Sequence, residues 1–230
     1  MGWFGKFITS SIGKKLIMSL TGLFLIMFLI VHLLGNLQLL HDDGGEAFNL
    51  YARFMTSNPL IKVISYSLYT FILLHAILGV RLWRKNRAAR GSKGYAMTKV
   101  RAVNTNAGFA KNMAWLGIIV FVFLLIHMYQ FWFQMHMDMV PYATIDGEQV
   151  KNLYDPVKVA FSDIGFVVFY VVCMLIIGFH LWHGFQSAFQ TLGLNHQKWS
   201  PVIRFLGKVY AIIVPALFAL IPIVFYLKNA

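Results

Sequence analysis

The sequence predicts an all-α integral membrane protein of five transmembrane helices, with its N-terminus inside and its C-terminus outside. Three observations predict this. The 230 residues are 59% hydrophobic and only 12% charged, against about 25% charged in a soluble domain. Five stretches, at 15–40, 60–84, 112–136, 163–189 and 206–227, each supply the roughly 20 apolar residues that a helical crossing requires. The loops between them alternate in charge.

Taken in order, Lys6, Lys14 and Lys15 precede the first apolar stretch. A basic start before an apolar run resembles a signal peptide. The run continues to Leu40, however, with no small-residue cleavage site after it, so it reads as a retained first helix. Ser10 and Ser11 suit its N-cap. Loop 41–59 carries Asp42, Asp43 and Glu46 against Arg53, and Pro59 suits the start of the second helix. Loop 85–111 carries Lys85, Arg87, Arg90, Lys93, Lys99, Arg101 and Lys111 with no acid. The third helix is followed by loop 137–162, with Asp138, Asp146, Glu148 and Asp155. The fourth is followed by loop 190–205, with Lys198 and Arg204. Lys and Arg collect on the cytoplasmic side, which sets the orientation. Trp83 and Trp115 at the inner ends and Trp132 at the outer end fit an aromatic belt. Pro215 and Pro222 fall inside the fifth helix, where a kink is expected. That helix has no histidine and is assigned to packing. All five read as helices, because lipid admits only helices or closed barrels and the stretches show no strand alternation. No repeat divides the chain, so residues 1–230 read as one transmembrane domain without a soluble appendage.

Composition also excludes chemistry. A lone cysteine, Cys173, cannot ligate an iron–sulfur cluster, form an internal disulfide or make a CxxCH attachment. There is no GxGxxG and no Walker sequence, so the chain offers no flavin or nucleotide site of its own. Chemistry on a soluble substrate requires other subunits, and no catalytic residue is assigned. The net charge of +12 is accounted for by the inner loops and does not indicate a nucleic-acid partner.

The histidines carry the functional reading. Of eight, His41, His136 and His196 sit in or beside loops and read as solvated or interfacial. His32, His75, His127 and His180 lie inside the first four helices, one per helix, where an imidazole needs a partner or a ligand. Depth sorts them. His32 is about 26 Å from the inner end near Lys15, and His127 about 24 Å from Lys111, which puts both toward the outer side. His75 is about 9 Å before Arg81, and His180 about 26 Å down from Asp163, which puts both toward the inner side. His32 thus pairs with His127, and His75 with His180. Two stacked bis-histidine b-type haems require that match, whereas a proton relay does not. Such ligation leaves no open iron position and favours electron transfer. Gly79, Gly178 and Gly184 are candidates for giving a haem room. His183 lies three residues from His180 on a neighbouring helix face, and depth does not separate the two.

SLTGLFLIMFLIVHLLGN in the first helix, LLHAILGVRLW in the second, His127 in the third, and His180 with Gly184 and Gly193 in the fourth together resemble one family. It is the cytochrome b membrane anchor of succinate dehydrogenases and fumarate reductases, of the single-chain, five-helix, di-haem type. The resemblance covers nearly the whole chain. It selects His180 over His183, since the family's histidine is followed by glycine four and thirteen residues later. It implies two haem b groups, an outer one on His32 and His127 and an inner one on His75 and His180. It also implies a flavoprotein and an iron–sulfur subunit on the inner face, a membrane quinone (often menaquinone in this family) and multi-pass residence in the cytoplasmic membrane. Ser19 and Arg81 are then candidates for holding haem propionates. Asn36, Glu46, Asn49 and Arg53 are candidates for the mouth of an outer quinone site. No carboxylate is buried within a helix to build a transmembrane proton relay. The eight basic residues from Arg84 to Lys111, with Lys14, Lys15, Lys198 and Arg204, form the expected docking face. Two other readings stand beside this one: a haem-b anchor of another respiratory oxidoreductase, such as a formate dehydrogenase or hydrogenase, and a histidine-dependent proton-coupled transporter that binds no haem.

Overall fold

Ser10 opens the first crossing. The computed structural model describes residues 2–90 and 107–229. In it Ser10 has extended backbone, and its hydroxyl accepts from the Gly13 amide at 3.0 Å. This N-cap satisfies one of the amide donors that a helix start leaves unpaired. In chain order the helices are α1 (Trp3–Thr9), α2 (Ser11–Leu37, closed by a 3-10 turn at Gln38–Leu40), α3 (Glu46–Ser57) and α4 (Pro59–Arg90). Next comes α5 (Ala107–His127), which runs through a π-helical segment, Met128–Phe133, into the last turn α6 (Gln134–His136). A hairpin of β1 (Tyr142–Ile145) and β2 (Glu148–Lys151) leads to α7 (Tyr154–Phe161), α8 (Ile164–Thr191) and α9 (Ser200–Asn229).

Among the described residues, five helical stretches are long and apolar enough to cross a membrane: α2 with its 3-10 turn, α4, α5 to α6, α8 and α9. The chain is predominantly helical with one small β-hairpin, an architecture compatible with an all-α multi-pass membrane protein. The helices outrun the apolar stretches, since α4 continues to Arg90 and α9 begins at Ser200. Hydropathy stops where charge begins, whereas intrahelical hydrogen bonds continue. Part of the basic loop, 91–106, lies outside the described residues.

α2 packs on α4 and α8, and α5 packs on the same two helices. These four therefore form a ring, with α2 opposite α5 and α4 opposite α8. α9 lies outside it, against α8 and α2. The four ring helices are the four that carry the intramembrane histidines. The α8–α9 contact is the most extensive between helices, and Gly178 on α8 and Gly207 on α9, which faces Phe185, both permit it. Pro215 has no amide proton, so the Ala211 carbonyl lacks its usual intrahelical donor. A Cβ on Gly178 would sit 3.1 Å from that oxygen. Gly178 thus serves close packing on α9 rather than room inside the ring. The Tyr210 hydroxyl donates to the Ile26 carbonyl at 2.6 Å and ties α9 to α2.

The segments expected as plain loops are built. Asp146 and Gly147 both have positive φ, 52° and 79°, as a two-residue hairpin turn of mirror type requires. The turn pairs Ile145 with Glu148 and Tyr142 with Lys151. The Tyr142 hydroxyl donates to Asp138 at 2.7 Å. That bond and Lys151 hold the Asp138 carboxyl below the usual carboxylate range. Their contribution is present above the ordinary aspartate pKa and is lost as pH falls through the lowered one.

Asn49 joins this hairpin region to α3. It is 2% exposed. Its amide nitrogen donates to Asn152 Oδ1 at 3.0 Å, and its oxygen accepts from the Leu153 and Tyr154 amides at 2.9 and 3.1 Å. Arg53 pairs with Glu148, and Lys228 lies 3.7 Å from Asp42. Segment 41–58, the hairpin region and the end of α9 therefore share one end of the bundle. Replacing Asn49 with alanine leaves the half-buried Leu153 and Tyr154 amides without this acceptor, each costing at most about 1–3 kcal/mol. The expected result is a lower thermal midpoint in detergent and faster tryptic cutting at Lys151 and Lys158. Unchanged cutting would show that other contacts hold α3 in place.

Candidate metal centres at paired histidines

The structure brings the four ring histidines together two by two. His32 on α2 and His127 on α5 have ring centroids 5.8 Å apart at 88°. His75 on α4 and His180 on α8 have centroids 6.4 Å apart at 64°. Each pair joins helices on opposite sides of the ring, so each crosses its centre, where bundles build cofactor and metal sites.

The two pairs lie at different levels. Gly22 on α2 faces His75, with Cε1 3.2 Å from where a Cβ would be, and Gly117 on α5 faces His180 Cε1 at 3.6 Å. Gly22 precedes His32 by ten residues, and Gly117 precedes His127 by ten. At a rise of about 1.5 Å per residue, both helices put the His75–His180 level about 15 Å from the His32–His127 level. The His32–His127 level is the one nearer α3 and the hairpin, since α2 ends five residues after His32.

The donor set limits what these sites hold. A metal–imidazole nitrogen bond is about 2.0 Å and the ring centre lies about 1 Å behind the nitrogen, so imidazoles on opposite sides of one metal ion have centroids about 6 Å apart. Both pairs have that spacing, which is also ordinary for edge-to-face rings. Among the described residues no three His, Cys, Asp or Glu side chains come together. Two imidazoles across a bundle suit a metal that already carries four in-plane ligands, as a haem iron does. No hydrogen bond joins the rings within either pair among the described residues. His180 Nδ1 is buried with no hydrogen-bond partner, a state that is costly unless the ring is bound some other way. The glycines opposite His75 and His180 let each imidazole pack directly against the facing helix, where a side chain would displace it. On these three observations the residues fit the group.

Neighbouring side chains orient the rings. The Thr21 hydroxyl is 3.2 Å from His75 Nδ1. The Tyr170 hydroxyl is 3.4 Å from His127 Nδ1 and donates to Gln130 Oε1 at 2.6 Å. Asn36 donates to the His32 carbonyl at 2.7 Å and lies 3.4 Å from His32 Nδ1. Gln130 sits in the π-helical segment directly after His127, and single π turns recur at functional sites.

The remaining residues singled out from the sequence lie outside the two histidine pairs. Ser19 is buried, and its hydroxyl bonds the Lys15 carbonyl of its own helix at 3.0 Å. Arg81 is exposed on α4. His183 is half-buried on α8, outside both pairs. Of the expected quinone residues, Asn49 is committed to the hairpin region, Arg53 to Glu148 and Asn36 to α2 itself. Glu46 alone is exposed without a partner among the described residues, in the first turn of α3. His41, His136 and His196 are exposed. Gly79 faces Met18, and a Cβ at Gly184 would meet nothing within 4 Å; neither glycine packs against a histidine. Gly193, with φ 77°, ends α8: its amide bonds the Gln190 carbonyl, and the Leu194 amide bonds that of Phe189. This is a glycine-capped helix stop.

No protein-family model, curated protein or solved structure matches the chain.

Proposed function

We propose that the chain is the di-haem b-type membrane anchor of a succinate:quinone oxidoreductase, linking an iron–sulfur subunit to membrane quinone. One observation carries the haem part of this reading: two histidine pairs cross opposite diagonals of one helix ring, at levels about 15 Å apart. His32 and His127 are the ligands of one haem, and His75 and His180 those of the other. The bound groups supply reversible one-electron transfer, with no open position for oxygen. The chain's own part is to hold the imidazoles, exclude water from between the helices and set the order of the two levels. The succinate part rests on the motif resemblance in the first, second and fourth helices, and with it the menaquinone, the flavoprotein partner and the cytoplasmic membrane.

Orientation follows from charge. The end bearing Lys14, Lys15 and the basic end of α4 faces inside and receives the iron–sulfur subunit, nearer the His75–His180 level. Glu46 is the quinone-side proton-exchanging group that its free position allows. Arg81, exposed on α4, has the charge to meet a propionate of the inner haem.

The test is a pyridine-haemochrome assay on the purified chain, with mass spectrometry of what co-purifies. The expected result is two haem b per chain together with a flavin-bearing and an iron–sulfur subunit. A haem-free chain would favour a histidine-dependent transporter. Two haems with a different soluble partner would favour another respiratory enzyme.

A further inference from the structure

Each histidine pair contains one ring whose Nδ1 meets a hydroxyl from a neighbouring helix, and in both cases that hydroxyl has its proton committed elsewhere. Thr21 Oγ1 is 2.8 Å from the Ile17 carbonyl and 3.1 Å from the Met18 carbonyl, both on its own helix. Neither oxygen can donate, so the Thr21 proton is used there. The contact from Thr21 to His75 Nδ1 at 3.2 Å then runs from Nδ1–H to the threonine oxygen, with the Met18 carbonyl of the same helix as a second acceptor beside it. Tyr170 donates its single hydroxyl proton to Gln130 Oε1 at 2.6 Å. Its contact with His127 Nδ1 at 3.4 Å then also runs from Nδ1–H to the oxygen. A neutral imidazole carries one N–H. With the proton on Nδ1, Nε2 keeps its lone pair in both rings.

We infer that Thr21 and Tyr170 are positioning residues that fix the Nδ1–H tautomer of His75 and His127 and so present Nε2 of each ring as the metal donor. This rests on the haem-ligand reading above and adds to it which nitrogen binds and what holds it. The partner rings lack such a device. His180 Nδ1 has no partner, and His32 Nδ1 meets only Asn36 of its own helix at 3.4 Å. Each site is thus asymmetric, with one oriented ligand and one freer ligand. An acceptor on Nδ1–H also makes the imidazole a stronger donor. It favours the oxidised metal and lowers the reduction potential of that site alone.

The experiment is a redox titration, followed by optical and electron paramagnetic resonance spectra, on the whole chain with its haems. The variants are Thr21→Val, Thr21→Ser and Tyr170→Phe. Both haems are expected to remain in all three. Thr21→Val is expected to raise the potential of the component assigned to His75 and His180 and to shift its low-field resonance, with the other component unchanged. Thr21→Ser, which keeps the oxygen, is expected to restore both values. Tyr170→Phe is expected to shift only the component assigned to His32 and His127. Unchanged potentials, a Thr21→Ser variant that behaves like Thr21→Val, or an equal shift of both components in any variant would overturn the inference. A wild-type chain without haem would instead overturn the function proposed above.

Discussion

If the proposed di-haem reading holds, His32→Ala is expected to remove the haem component shared with His127 and leave the other, while His75→Ala is expected to remove the component shared with His180. His127→Ala repeats the first spectrum and His180→Ala the second. The expectation follows from which rings meet, at 5.8 and 6.4 Å, and from the ring of helices that keeps the two levels apart. A bis-imidazole iron that loses one ligand loses its low-spin spectrum, so the effect is the full loss of one of two components. His183→Ala keeps both, because His183 lies outside the pairs. Loss of the same component in His32→Ala and His75→Ala would break the pairing. Loss of a component in His183→Ala would move a ligand assignment to that residue.

That pairing is legible in the sequence because depth along a helix needs only a rise per residue and a charged end to count from. What faces what around the ring is less legible. Gly79, Gly178 and Gly184 draw attention because they neighbour His75 and His180 in sequence, yet residues near in sequence lie on the same helix. The glycines that face the two histidines, Gly22 and Gly117, are on adjacent helices, and no spacing rule within one chain segment points to them. The hairpin is a different case. Asp146-Gly147 is a strong turn signal, and loop 137–162 gives it away once the four-residue runs on either side are considered. The π-helical turn after His127 has no sequence signature, and neither does the commitment of Asn49 to the hairpin region. A polar residue near a membrane face reads equally as a ligand group or as a brace, and only its burial and its three hydrogen bonds separate the two.

Filling the two glycine faces is the sharper probe of the space at the His75–His180 level. Gly22→Leu places its first carbon 3.2 Å from His75 Cε1, closer than ordinary van der Waals contact, and three more carbons must go beyond it. Overpacking of this kind costs about 1–3 kcal/mol. His75 is held against α2 by Thr21, one residue away from Gly22, so the ring cannot swing aside and keep its hydrogen bond. Gly117→Leu presses on His180 in the same way from α5, with a starting distance of 3.6 Å and so a smaller effect. Both variants are expected to lose or strongly weaken the haem component of His75 and His180. They should keep that of His32 and His127, about 15 Å away along the helices. Gly184→Ala, where nothing lies within 4 Å, is the control and should retain both components although its glycine belongs to the resembling motif. Haem spectra and haem-to-protein ratios of the three purified variants decide the matter. Two intact components in Gly22→Leu would show that the haem space does not reach the α2 face of His75.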